Sequence, residues 1–399
     1  MRLLLLFSAL LLFSPVLAQK KEISEARSNI KKRTNLIDAE SKMRNLLADS
    51  ANKRNIKIYQ TLAEAVRAQY EEANEKLYLK EEYDTVTFFN TARRMFLAYE
   101  SLDSIDMLHS KKGRVKLKYR DKNAEYLNQY RRNLYSGGIY FLRSKEYDQA
   151  FGMMDTYLDC HNQPLFTEYQ QDNDRLSSAA AFWAVYCAFK MHRPDSTLKY
   201  SDLALADKNY RRRTLAYISA AYLLKADTLK CVEALRRGFF ENKKSKFFFT
   251  RLMDYYNSIN RLDSALNIVN SALSEDREST LFLYAKSNVL LNMGHYSECI
   301  VISDSLLARN DTLPDVYLNV GVSYLNLALP LEKDVKSRKV NRKRILDYYR
   351  KALPYMEKYR ELAPDEKERW APSLYNIYLK LNMGRKFEEI SEVLRKMRK

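Results

Sequence analysis

The chain has 399 residues, 46% of them hydrophobic, so it can bury a large core and is not an intrinsically disordered chain. It contains only eight glycines and eight prolines, but 30 tyrosines and 17 phenylalanines. Sheets, barrels and nucleotide-binding α/β folds need many glycine-rich turns, so this composition excludes them and favours helices joined by short connections. The formal net charge of +18 either attracts anionic partners or only keeps a long chain soluble.

The first 18 residues have the pattern of an export signal. Arg2 is followed by an apolar run from Leu3 to Phe13, and Ala18 precedes Gln19 at a typical cleavage position. The run is shorter than the roughly 20 apolar residues that a membrane helix needs. We therefore expect an exported, periplasmic protein that is soluble after cleavage near Ala18. In that compartment the anionic candidates are membrane surfaces, anionic glycans and acidic proteins, and no nucleic acid partner is expected.

Residues 19–130 form a region that is helical by composition. An amphipathic run from Leu62 to Tyr70 is typical of it. The sequence does not fix a repeat register here. Two structures are therefore possible for this region: it forms divergent hairpins of the downstream array, or it forms a cap of long helices.

A 34-residue repeat begins further along the chain. Small or modest residues recur at this interval at Thr197, Cys231, Ala265 and Cys299. Sixteen residues before each of them stand Ala181, Leu215, Phe249 and Leu283, and nine before stand Ala188, Tyr222, Tyr256 and Leu290. Apolar spacings of three and four within each unit predict two helices with a tight turn between them. One such hairpin cannot bury its own apolar face, so neighbouring hairpins must stack.

Three units carry a more specific motif. They read Leu134-x2-Gly137-Gly138-x2-Phe141, Tyr317-x2-Val320-Gly321-x2-Tyr324 and Leu374-x2-Ile377-Tyr378-x2-Leu381. With these motifs the chain resembles the tetratricopeptide repeat family over residues 131–399, as about seven units. The resemblance implies an all-α fold, a right-handed α-solenoid of tetratricopeptide-type helix hairpins with a concave groove. Lys286, Thr197 and Cys231 depart from the family pattern.

Two insertions interrupt the register, around residues 162–174 and 329–340. The second leads into a basic run over residues 333–344. This run either contacts an anionic lipid head group or glycan, or is a solvated loop or helix extension.

In the family, the first helix of each hairpin lines a groove that holds an extended peptide. On this chain the matching N-terminal positions are Arg132, Tyr135, Arg143, Phe182, Trp183, Tyr186, Lys190, Arg213, Tyr217 and Arg251, and the C-terminal ones are Asn288, Asn292, Asn319, Asn326, Tyr375 and Asn376. Aromatic and arginine side chains are frequent binding anchors. An asparagine amide both donates and accepts, so a row of them can satisfy a peptide backbone. The alternative is that the asparagines are solvated and the aromatic residues pack.

The sequence holds no pattern for catalysis, a metal or a cofactor. Its four histidines are not spaced as metal ligands, and no glycine-rich phosphate loop or nucleophile motif occurs. Cys160, Cys187, Cys231 and Cys299 allow up to two disulfides, or are small buried residues. Only Cys160 and Cys187 come from neighbouring units.

We therefore expect a non-enzymatic, exported interaction scaffold that binds a peptide or protein partner in the groove. The alternatives are a basic protein that docks on an anionic glycan or membrane, and a structural subunit of an envelope assembly.

Overall fold

The structure, a computed structural model, describes residues 18–109, 117, 119–169, 174–334 and 339–397. The predicted export signal lies outside these ranges except for Ala18. Within them every regular element is a helix, which confirms the all-α fold class. In the described part of the chain, no helix combines the length and the apolar character needed to cross a bilayer.

Two compact units divide the chain, Met1–Cys231 (unit 1) and Val232–Lys399 (unit 2). Unit 1 holds α1 (residues 18–32), α2 (Leu36–Ala48), α3 (Ile56–Leu79), α4 (Thr85–His109), α5 (Arg120–Arg143), α6 (Tyr147–Asp159), α7 (Ser177–Lys190), α8 (Pro194–Lys199), α9 (Ser201–Leu205) and α10 (Lys208–Leu224). The boundary between the units lies inside α11 (Thr228–Glu241). Unit 2 continues with α12 (Lys246–Ser258), α13 (Leu262–Glu275), α14 (Thr280–Asn292), α15 (Tyr296–Leu307), α16 (Pro314–Lys333), α17 (Arg342–Leu362), α18 (Lys367–Lys380) and α19 (Gly384–Met397).

The N-terminal helices of unit 1 share one core with the helices that follow. Val66 of α3, Phe96 of α4, Leu134 of α5 and Phe182 of α7 are all buried in it. Residue 131, where the repeat array is predicted to begin, lies inside α5. The helices α3 and α4 have 24 and 25 residues, whereas α6 and α7 have 13 and 14. Because of this length difference, the register of the downstream repeats cannot be read in residues 19–130.

A left-handed residue ends the first helix of successive hairpins. Positive φ angles occur at His192, Ala226, Asn260 and Gly294, which are spaced by the interval of the predicted repeat. After each of them, the next N–H donates to the carbonyl oxygen five residues earlier, at 2.8–3.0 Å. This bond satisfies a carbonyl that a helix end leaves unpaired, and the left-handed conformation makes it possible. The predicted repeat is therefore present in the backbone. Lys145 has the same conformation but precedes His192 by more than one repeat length, because the first insertion lies between them.

Small residues let the paired helices approach closely. Thr197 is 1% exposed, and Ala265 and Cys299 are fully buried. A Cβ atom added at Gly238 would overlap the Phe248 ring, so only glycine fits there. All four cysteines are buried, and burial raises the pKa of Cys187 to about 12. The cysteines therefore pack as small apolar side chains and form no disulfide.

The structure corrects one detail of the predicted register. In α14 the ring of Phe282 is buried, whereas Leu283, the predicted core position, is partly exposed. At the second insertion the sequence left a loop or a helix extension open. The described residues there are mostly helical, because α16 continues to Lys333 and α17 begins at Arg342, so both helices of that hairpin are lengthened.

Candidate binding surface

Four aromatic side chains form a continuous row on three successive first helices of unit 1. The row consists of Tyr135 on α5, Trp183 and Tyr186 on α7, and Tyr217 on α10, and each side chain is half-buried. The ring centroids of Trp183 and Tyr186 are 6.0 Å apart, and those of Tyr186 and Tyr217 are 5.8 Å apart. Tyr135 joins the row beside Trp183, which is close enough to influence the pKa of the Tyr135 hydroxyl. These four predicted groove residues are therefore brought together in the aromatic row.

A second layer of rings holds the aromatic row in place. Phe182 is 1% exposed and stacks on Tyr210, with ring centroids 4.5 Å apart. Phe189 stacks on Tyr217 at 4.6 Å. The prediction of Phe182 as a groove residue is wrong, because its ring lies in the core beneath the row. Rings supported in this way lose little conformational entropy when a partner covers them.

The hydroxyl groups of the row stay protonated at neutral pH. Burial raises the pKa of Tyr135, with Tyr210 acting in the same direction and Trp183 opposing it. Burial also raises the pKa of Tyr217, against the effect of the Arg213 charge. The pKa of Tyr186 rises through burial and through its contact with Tyr147. The row therefore offers neutral O–H groups, each of which can donate one hydrogen bond.

Cations on the same three helices complete the surface. Arg132 and Arg143 on α5, Lys190 on α7 and Arg213 on α10 are all exposed. The Lys190 Nζ lies 5.6 Å from the centroid of the Tyr186 ring. None of the four forms an ion pair with any residue that the structure describes. Their charges are consequently available to an anionic group near the row.

Solved structures of tetratricopeptide repeat proteins are similar to the chain at low identity. The C-terminal part of one from Cytophaga hutchinsonii aligns with 64% of this chain and 92% of its own, with a TM-score of 0.42 and 10% identity. One from Parabacteroides merdae aligns with 67% and 98%, with a TM-score of 0.35 and 15% identity. YrrB, described as a tetratricopeptide repeat protein with an unusual peptide-binding site, aligns with 50% and 93%, with a TM-score of 0.35 and 16% identity.

No protein-family model and no curated protein matches the chain. The turns between paired helices recur at a constant interval from His192 to Gly294. A two-helix hairpin repeated at this interval defines one class of helical repeat proteins. The described helices therefore have the fold expected from the sequence, an all-α array of tetratricopeptide-type helix hairpins. The expectation for the fold class is confirmed.

The asparagines of the unit 2 repeats do not form the predicted row of free amides. Asn319 is only 3% exposed, and its Nδ2 donates to Ser287 Oγ at 2.9 Å and to Asn288 Oδ1 at 2.8 Å. Ser287 is itself buried and bonds Ser303 Oγ at 2.7 Å. The prediction of Asn319 as a ligand-binding residue is therefore wrong, because both N–H groups are used inside the repeat. Asn288 is partly buried, and its Oδ1 is the acceptor of the bond from Asn319.

The remaining predicted residues of unit 2 differ from one another in exposure and in the groups that they contact. Asn292 and Asn376 are exposed and Asn326 is half-buried. Tyr375 packs on Phe387, with ring centroids 4.9 Å apart. The Arg251 guanidinium lies 3.7 Å from the centroid of the Phe247 ring. The structure does not assemble these side chains into one surface among the described residues of unit 2.

Sequence reasoning missed two features of unit 1. The first is Tyr147, the first residue of α6, whose ring centroid lies 6.0 Å from that of Tyr186. Its position at the start of a second helix, next to the preceding first helix, could have indicated this contact. A cleft of about 900 Å³ lies among α2, α3 and α4, lined in part by Leu36, Ile37 and Tyr83. The cleft could not be predicted because the register of residues 19–130 could not be read. In the described ranges, no three His, Cys, Asp or Glu side chains gather as a metal site requires.

Proposed function

We propose that the protein is an exported, non-enzymatic scaffold that binds an extended peptide segment of a partner protein on the aromatic row of unit 1. The continuous row of half-exposed rings is the observation that carries the proposal. Aromatic side chains with a supported ring and a polar end are the residues most often found at the centre of binding surfaces. Export rests on the sequence of residues 1–18.

The chemistry of the surface indicates what the peptide contains. The rings favour apolar or aromatic side chains, and the neutral tyrosine hydroxyls donate to peptide carbonyl oxygens. Arg132, Lys190 and Arg213 favour carboxylates beside the apolar segment. The peptide therefore combines apolar residues with flanking acidic residues.

The test starts from a displayed library of linear peptides selected on the protein. We expect the selected peptides to be enriched in aromatic or aliphatic residues next to Asp or Glu. The substitution Trp183→Ala should weaken binding of a selected peptide by about 30-fold, measured by fluorescence anisotropy, because truncation of a central anchor costs about 2 kcal/mol or more. Trp183→Phe should retain most of the affinity.

Phe247→Ala is the matched control, since Phe247 is a 38% exposed aromatic residue on a first helix of unit 2. It should leave the peptide affinity unchanged. Circular dichroism at increasing temperature shows whether each variant is folded at the assay temperature. If folded Trp183→Ala binds the selected peptides as tightly as the unsubstituted protein, the aromatic row is not the binding site.

A further inference from the structure

The α16–α17 hairpin is longer than its neighbours in unit 2. The helices α16 and α17 have 20 and 21 residues, whereas α12 to α15 have between 12 and 14. Seven extra residues lengthen a helix by about 10 Å. The hairpin therefore carries an additional segment at the end where α16 stops and α17 begins.

This additional segment is packed and held in place. Ala328, Ile345 and Tyr349 are buried in the core that α16 and α17 share with α18. Glu332 forms an ion pair with Lys380 of α18, with its Oε1 2.8 Å from the Lys380 Nζ. The extension is thus a built part of unit 2 and presents its end in a fixed direction.

The end of the extension is cationic and carries an exposed aliphatic side chain, Val340. We call it the basic tip, defined by the described residues Lys333, Lys339, Val340, Arg342, Lys343 and Arg344. Every one of these side chains is exposed or partly exposed, and Val340 is 85% exposed. Asp334 is the one acidic residue within the run. Lys336 and Arg338 belong to the same run in the sequence but lie outside the described residues.

The cations of the tip differ from those further along α17. Arg350 pairs with Asp347 and Lys358 pairs with Glu361, both at 2.7 Å. Lys339, Arg342 and Lys343 have no ion-pair partner among the residues that the structure describes. Arg344 donates to the Tyr348 hydroxyl at 3.4 Å, and its guanidinium lies 5.8 Å from the centroid of that ring. Among the described residues of unit 2, the charges of Lys339, Arg342 and Lys343 are therefore not neutralised by ion pairs.

We infer that the basic tip docks the protein on the surface of a membrane that contains anionic phospholipids. Clustered Lys and Arg side chains are attracted to the negative potential of such a surface. The exposed Val340 supplies an apolar side chain that can enter the interface between head groups and acyl chains. The tip is the end of a hairpin, and a projecting end fits a flat surface better than it fits an extended peptide. This inference is independent of the aromatic row, which lies in unit 1.

The experiment is co-sedimentation of the protein with lipid vesicles. One set of vesicles contains phosphatidylcholine alone, and the other contains equal parts of phosphatidylglycerol and phosphatidylcholine. We expect binding to the anionic vesicles only. The double substitution Arg342→Glu and Lys343→Glu should reduce the partition coefficient by at least about tenfold, because each cation near an anionic surface contributes to binding. Val340→Ser should reduce it by a smaller factor that persists at high salt.

The matched control is Lys31→Glu with Lys32→Glu, an exposed pair on α1 that changes the net charge by the same amount. This control should bind the anionic vesicles like the unsubstituted protein. Equal losses in both double variants would overturn the inference and show that only total charge matters. Complete displacement by inorganic phosphate at constant ionic strength would also overturn it, since the tip would then be a site for small anions.

Discussion

The two units bury different kinds of polar groups within the same hairpin repeat. In unit 1 the interior holds an ion pair, Arg131 with Asp174 at 3.2 Å, and both side chains are largely buried. In unit 2 the buried polar groups around Asn319 are neutral and bond one another through Ser287 and Ser303. The surface of the first helices differs as well, because in unit 1 half-exposed rings of successive first helices contact one another, as Tyr186 of α7 and Tyr217 of α10 do. A shared repeat register therefore does not determine which side chains remain available to a partner.

The largest expected effect comes from removing the charge of Asp174. Tyr157 and Ser177 also donate to this carboxylate, at 2.6 Å and 2.9 Å. We expect Asp174→Asn to lower the free energy of unfolding of unit 1 by about 3 kcal/mol or more, because Arg131 would stay buried without a counter-charge. Urea unfolding followed by Trp183 fluorescence in a Trp370→Phe background measures unit 1 alone.

The same side chain gives unit 1 a defined response to acid. Burial alone would raise the pKa of Asp174, but hydrogen bonds from Tyr157, the Leu176 N–H and Ser177, and the Arg131 charge, lower it below its usual value. A lowered folded-state pKa stabilises the protein above the unfolded pKa of about 3.9, and this stabilisation is lost as the pH falls through the folded pKa. The difference in the free energy of unfolding between Asp174→Asn and the unsubstituted protein should therefore become smaller below about pH 4. Asp148→Asn, in an exposed pair with Arg193, should cost less than about 1 kcal/mol at any pH.

A smaller effect is expected from Asn319 in unit 2. Asn319→Ala should lower the free energy of unfolding of unit 2 by about 2 kcal/mol, because Ser287 and Asn288 lose a buried donor. Trp370 fluorescence in a Trp183→Phe background follows unit 2 during urea unfolding. The exposed Asn292→Ala should change this energy by no more than about 0.5 kcal/mol. A neutral result for Asn319→Ala would mean that its amide is not held inside the repeat.

The smallest expected effects lie at equivalent turns of the two units. Ala226 in unit 1 and Gly294 in unit 2 have φ angles of 56° and 81°. We expect Ala226→Gly to raise the free energy of unfolding of unit 1 by up to about 1 kcal/mol, because glycine adopts this conformation without strain. Gly294→Ala should lower that of unit 2 by a similar amount. Thermal unfolding of both variants measures these changes in the free energy of unfolding. Opposite signs at the two turns would show that the turn residue, and not the unit, determines the change in stability.

The sequence predicts the repeats far better than it predicts the binding residues. The repeat register depends on small residues and turns within one hairpin, so it can be read locally at Thr197, Ala265 and Cys299. The orientation of Asn319 depends on Ser287, 32 residues away, which no local pattern reveals. The aromatic row was predictable because large rings on first helices cannot all fit inside. Phe182 was misassigned because the sequence does not show that Tyr210 covers it.

The turn that closes the hairpins at His192, Ala226, Asn260 and Gly294 is complete within a few residues. Its left-handed residue and its closing hydrogen bond, as from the Arg261 N–H to the Tyr256 carbonyl oxygen at 2.8 Å, need no partner from another hairpin. The first insertion, between Lys145 and His192, leaves the same turn at both positions. Chain length is therefore adjustable in steps of one hairpin, and a repeat could be excised or duplicated between equivalent turns without designing a new connection.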